Sequence, residues 1–302
     1  MGTAGRRNNF EILAGMLKRL WAWLPVIVRA IIVGELVVDI GGIVPPLAII
    51  ANLRTTPRVP WMVVVTALWL WLFWWYLRGG GWPSQTAGSR RRDLRGDPLP
   101  AKAWGWALLA GSLGIASTLA LGLATLRVAN IPREAFASPI NLSSYPIFTM
   151  ICAIACISAT AGVVEEAGFR GYILSPIQRR HGWTVAILIS GFMFFLDHHF
   201  SHAYATFAFL PFFLAISAVH GLLVKYSGSI RPSALLHGVA DFLVIPILYG
   251  LVGSFSVTPI SRAGVDSHLG ICVGLTVVFA MAAVLPFKRL SIVTRQTPVR
   301  TD

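Results

Sequence analysis

The chain has 302 residues, 56% hydrophobic and only 12% charged. Soluble domains carry about 25% charged residues, so a water-soluble globular fold is excluded. The net charge of +13 would suit nucleic acid, but the basic residues gather at the ends of apolar runs. That placement is a membrane-topology signal and excludes a nucleic-acid partner.

In chain order, Phe10–Leu24 reads as an amphipathic helix lying at a membrane interface. No cleavable signal peptide is evident, because the first apolar run comes late and lacks a small-residue cleavage site. Leu24–Leu53 is apolar but interrupted by Arg29, Glu35, Asp39 and Pro45-Pro46, and reads as one irregular span. Glu35 and Asp39 are assigned there to the interface or to a pairing with Arg29. Seven further runs follow: Trp61–Leu77, Ala103–Leu126, Ile147–Val164, Trp183–Leu196, Ala203–Val224, Ser233–Leu251 and Ser267–Phe287. Most approach the roughly 20 apolar residues that cross a bilayer.

Basic clusters fall on alternate connections: Arg6 to Arg19, Arg78 to Lys102, Arg179-Arg180, Lys225 with Arg231, and Lys288 to Arg300. The positive-inside pattern then puts both termini in the cytoplasm. The predicted fold is an all-α polytopic bundle of about eight transmembrane helices, a multi-pass protein of the cell membrane with the lipid bilayer as partner. Arg78–Lys102, rich in Gly, Arg and Pro, reads as a flexible cytoplasmic loop, and Arg127–Pro146 as extracytoplasmic. The predicted organisation is 1–100 (lead-in, two variable spans, basic loop), 101–288 (membrane core) and 289–302 (a disordered polar tail). Cys152, Cys156 and Cys272 read as small apolar filler.

Charges inside apolar runs carry the functional signal. In VVEEAGFRGY, Val163 to Tyr172, Glu166 and Arg170 stand four apart on one helix face, with Glu on the favourable N-terminal side. Glu165 is rotated about 100° away and lacks that partner. The stretch thus separates a paired carboxylate from a free one. Arg179-Arg180-His181-Gly182 reads as a tight turn, with Glu165 about 15 and His198 about 17 residues out along its two arms. At that common depth a carboxylate and an imidazole can share a water. FFLDHHFSH, Phe194 to His202, supplies His198, with His199 and His202 assigned to the water-facing helix end. In LLHGVADF, Leu235 to Phe242, His237 and Asp241 share one face. His220 has no polar neighbour at helical spacing and is assigned to the core.

These elements, in this order, resemble the CPBP family of intramembrane proteases, which includes type II CAAX-processing endopeptidases. The family patterns are EExxFRG, FxxxH and HxxxN or HxxxD. Here EEAGFRG from Glu165 to Gly171, FFLDH from Phe194 to His198 and HGVAD from His237 to Asp241 match them. The resemblance covers about Ile147 to Gly250.

The resemblance implies an endopeptidase that hydrolyses a peptide bond of a membrane-associated peptide or protein with a glutamate-activated water. Glu165 would be the general base, His198 would help hold the water, and Glu166 with Arg170 would support the site as an ion pair. His237 and residue 241 would stabilise the oxyanion. Asp241 departs from the commoner Asn, and an ionised Asp cannot donate a hydrogen bond. A zinc set of Glu165, His198 and His237 is an alternative to a metal-free mechanism, although no HExxH is present. Three rival readings fit the same charges: an ion- or proton-coupled transporter, a serine protease using Ser190, and a non-catalytic immunity or scaffold protein of the same fold.

Overall fold

The computed structural model describes residues 15–16, 19–131, 133–136, 141–248, 251 and 257–296, and every regular element among them is helical. The principal helices are α1 (Val26–Thr55), α2 (Met62–Leu77), α3 (Ala87–Leu94), α4 (Ala101–Ala129) and α5 (Ile147–Thr160). They are followed by α6 (Leu174–Ser201), α7 (Leu210–Ser227), α8 (Arg231–Leu248) and α9 (Ser267–Gln296). Between α5 and α6 the chain runs through Ala161–Ile173 as wide π-helical turns. The Leu174 amide at their end reaches back five residues to the Phe169 carbonyl.

Among the described residues, five helical stretches are long and apolar enough to cross a bilayer: Ala101–Ala129, Ile147–Ser201, Phe207–Ser227, Arg231–Leu248 and Ser267–Gln296. The apolar Met62–Leu77 is shorter. The chain is an all-α, multi-pass membrane protein. Ile147–Ser201 holds two of the predicted runs and folds back on itself at Gly182, where φ is 81°. That backbone conformation is open to glycine at little cost. Across the hairpin the Ser190 hydroxyl donates to the Phe169 carbonyl at 2.8 Å, and the Phe169 and Phe194 rings meet edge to face at 5.2 Å.

Four expectations change. The Pro45-Pro46 pair does not interrupt α1, which stays helical through both. Pro45 cannot donate to the carbonyl of Gly41 four residues earlier, and the Trp69 indole N–H takes that carbonyl at 2.8 Å. Arg78–Lys102 is a packed collar rather than a flexible loop. Leu94 is fully buried, the Arg90 guanidinium lies 4.0 Å from the Tyr76 ring centroid, and Asp93 pairs with Arg179 at 2.6 Å. Arg95 donates to Gln178 at 2.6 Å, and the Arg231 guanidinium donates to the Gly96 carbonyl at 2.9 Å. The collar holds because backbone carbonyls and arginines from distant segments satisfy one another there.

The third change concerns the tail, which is helical through Gln296. Leu290 is fully buried, and the Thr294 hydroxyl donates to the Tyr226 carbonyl at 2.8 Å. Residues 297–302 lie outside the described residues, as do 10–14, 17 and 18 of the lead-in. Fourth, Glu35 Oε1 is buried with no hydrogen-bond partner, in place of a position at the interface or a pairing with Arg29.

The π-helical segment occupies the middle of the bundle because small residues let its neighbours approach. A Cβ on Gly162 would stand 2.5 Å from the Ala234 carbonyl oxygen and 2.8 Å from the Gly238 nitrogen, so the backbones of this segment and α8 nearly touch. On the other side, a Cβ on Gly168 would meet a Val38 methyl at 2.3 Å, which brings α1 equally close. These approaches set the rotation of the segment and hence where Glu165, Glu166 and Arg170 point.

Candidate active site

Glu166 and Arg170 are both fully buried, and Arg170 Nη1 lies 3.2 Å from Glu166 Oε1. The wide turns still leave residues four apart within reach. Arg170 also donates through Nη2 to Ser217 Oγ at 3.2 Å, and its guanidinium lies 4.5 Å from the Phe194 ring centroid. Glu166 takes two further partners from α8. His237 Nδ1 is 2.9 Å from Oε1, and the Ser233 hydroxyl donates to Oε2. An ionised carboxylate accepts only, so His237 carries its proton on Nδ1. This leaves the Nε2 edge of the ring facing away from Glu166.

That edge faces two other carboxylates: Glu165 Oε2 at 3.7 Å and Asp241 Oδ2 at 3.6 Å. Glu165 Oε2 is buried and has no hydrogen-bond partner. The two adjacent glutamates are therefore unequal. Glu166 is saturated, whereas Glu165 meets His237 at a distance too long for a hydrogen bond but open to an intervening atom.

His198 lies near the C-terminal end of α6. Its Nδ1 is 3.0 Å from the Phe194 carbonyl, which can only accept, so Nδ1 is the protonated nitrogen and Nε2 carries the lone pair. The Phe194 ring touches His198 at 4.5 Å and His237 at 6.0 Å between centroids, which puts both imidazoles on one aromatic floor. His199 turns elsewhere, binding the Ala205 carbonyl at 2.7 Å, so Phe194 to His198 is the frame of FxxxH that reaches the site. His202 stacks on His198 at 5.5 Å. Ser190 is buried with its hydroxyl spent on Phe169, which removes it as a nucleophile.

Three residues at the site were not legible in the sequence. His220, assigned to the core, is bound at 2.7 Å through Nδ1 to Ser233 Oγ and stands 3.9 Å from Glu166. Ser233 and Ser217 complete the surroundings of Glu166 and Arg170. Their partners lie 13 to 67 residues away, beyond any helical spacing.

The geometry also bears on metal. Among the described residues, the group whose ligand atoms lie within 4.8 Å of one another is Glu166, His220 and His237, rather than Glu165, His198 and His237. That group does not fit an ion. Its carboxylate is already ion-paired with Arg170 and accepts from Ser233 and His237, and both Nδ1 atoms serve as N–H donors in the network. A cation would have to displace a guanidinium 3.2 Å away.

Residues 147–243 match the family model described as type II CAAX prenyl endopeptidase Rce1-like. The chain carries an Rce1-like domain. The match spans all the residues just described from Glu165 to Asp241 and leaves α1 to α4 outside it. No curated protein and no solved structure is significantly similar to the chain. The Rce1-like model is one of a protease family, which supports a peptidase over the transporter reading.

Proposed function

We propose that the protein is an intramembrane endopeptidase of the cell membrane that hydrolyses a peptide bond in a membrane-associated peptide or protein. The observation that carries this is the inequality of the twin glutamates. Glu165 presents an unpartnered carboxylate oxygen 3.7 Å from His237 Nε2, while Glu166 and Arg170 neutralise each other behind it.

In this reading one water donates one proton toward Glu165 and the other toward the bare Nε2 of His198. Both groups are acceptors there, so the oxygen lone pair is left aimed at the scissile carbonyl carbon. Glu165 takes the proton as the new C–O bond forms. His237, when protonated on Nε2, donates to the developing oxyanion, and the carboxylates of Glu166 and Asp241 balance its charge. Asp241 acts on His237 and is not itself a donor. Collapse of the tetrahedral intermediate breaks the C–N bond, and Glu165 passes its proton to the leaving amine. The Rce1-like match favours a C-terminal prenylated peptide among candidate substrates.

The test is proteomics of membranes from cells carrying the wild-type chain or Glu165→Gln, followed by cleavage of the candidate peptide in liposomes. The expected result is peptides released only by the wild type, with Glu165→Gln expressed and inserted normally. Full cleavage by Glu165→Gln would overturn the mechanism.

A further inference from the structure

Behind His237 lies a run of buried polar groups that the steps above do not use. Ser233 is fully buried and His220 nearly so, and their rings and hydroxyls come from two different helices, α7 and α8. The direction of every hydrogen bond in the run follows from Glu166. Paired with Arg170, it is an anion and can only accept. The single Ser233 proton therefore goes to Oε2, and the serine lone pair is left to accept from His220 Nδ1–H at 2.7 Å. On the other oxygen, His237 Nδ1–H donates at 2.9 Å, beside Arg170 Nη1 at 3.2 Å.

We infer that His220 and Ser233 are positioning residues that lock the Glu166 carboxylate and, through it, aim the Nε2 edge of His237 at Glu165; this rests on the protease reading. The carboxylate torsion of a glutamate is soft. Arg170 offers two donors on one side, and a guanidinium prefers to take both oxygens of a carboxylate. Ser233 holds Oε2 away from that bidentate arrangement. Without it, Glu166 rotates onto Arg170, and Oε1 leaves the line to His237 Nδ1. The imidazole, flanked by Phe194 at 6.0 Å and His220 at 5.3 Å, then loses the bond that fixes its rotation. Displacement of a reacting group by about 1 Å can cost 100-fold in rate.

The experiment compares Ser233→Ala, His220→Asn and His220→Leu with wild type by steady-state cleavage in liposomes, with a detergent melt of each. An Asn amide can place an N–H near the Nδ1 position and still donate to Ser233. The expected result is kcat about 10- to 100-fold lower for Ser233→Ala and His220→Leu, with KM within about twofold, and His220→Asn close to wild type. Ser233→Ala removes one atom and decides the matter should His220→Leu fail to fold. Unchanged kcat in folded Ser233→Ala, or a change confined to KM, would overturn the inference while leaving the protease reading intact. Stoichiometric zinc in the wild type, lost in His220→Leu, would make these residues ligands and also overturn it. A wild type with no Glu165-dependent cleavage overturns both.

Discussion

Substituting each of the adjacent glutamates by Gln, one at a time, should separate them cleanly. The chemical change is identical, and the surroundings differ. At Glu166 the carboxylate is ion-paired with Arg170 and accepts from Ser233 and His237, with no exposure to solvent. A Gln there keeps one acceptor oxygen and turns an NH2 group toward donors on the other side, leaving Arg170 as a buried, uncompensated cation. Removing one partner of a buried pair costs about 3–5 kcal/mol. Set against a net stability of about 5–15 kcal/mol, that is a large fraction of the whole. At about 2–4 °C per kcal/mol it corresponds to a melting point lower by roughly 6–20 °C. At Glu165, Oε2 has no hydrogen-bond partner to lose, so Gln should lower the melting point far less than Glu166→Gln does. The assay is thermal melting of detergent-solubilised protein followed by size-exclusion chromatography, with cleavage measured in parallel. Glu165→Gln should be stable and inactive, and Glu166→Gln unstable. The double substitution Glu166→Leu with Arg170→Leu should recover part of the loss, because no charge is left stranded. Equal melting points for the two single variants, or a double variant worse than Glu166→Gln, would refute the division between a saturated and a free carboxylate.

Other outcomes follow from other parts of the fold. Gly162→Ala would press a methyl against the backbone of Ala234 and Gly238. It should cost about 1–3 kcal/mol, with a further drop in kcat as α8 and His237 are pushed from the π-helical segment. A melt and a kcat equal to wild type would contradict the close approach. Arg127, in the last turn of α4, binds Asp266, which lies outside the membrane-spanning segments, through both oxygens at 2.5 and 2.8 Å and holds its carboxyl well below the usual carboxylate range. A depressed carboxyl contributes stability above its unfolded pKa of about 3.9 and loses it only as pH falls through the folded value. Asp266→Asn should therefore melt lower than wild type by a constant margin from pH 8 to about pH 5, and the margin should close only below about pH 4. A margin that closes between pH 7 and 5 would contradict the pairing.

How far the sequence could be read is clearest at the motif itself. The lengths of the apolar runs led to a membrane bundle because a bilayer accepts only segments that satisfy their own backbone, and a helix does so locally. The partition of Glu165 from Glu166 was likewise visible, since a pairing four residues apart depends on one helix and nothing else. The tight turn at Gly182 also depended only on neighbours in the chain. The π-helical widening of Ala161–Ile173 was not visible, nor was the order of the Arg78–Lys102 collar. Basic, glycine-rich composition reads as mobile until the side chains that tie it down, the Gln178 amide and the Arg231 guanidinium, are brought alongside.

His220 shows the limit best. On its own helix it has no polar neighbour, and by that measure it belongs to the core. It joins the site only because Gly162 and Gly238 let two backbones nearly touch, which sets the rotation of α8 and carries Ser233 and His237 to Glu166. By itself the sequence determined which residues are charged within the membrane and which of them pair along one helix, because both follow from local periodicity. Only the tertiary structure decided which groups from other helices saturate Glu166 and leave Glu165 free, because that depends on how closely helices far apart in the chain can approach.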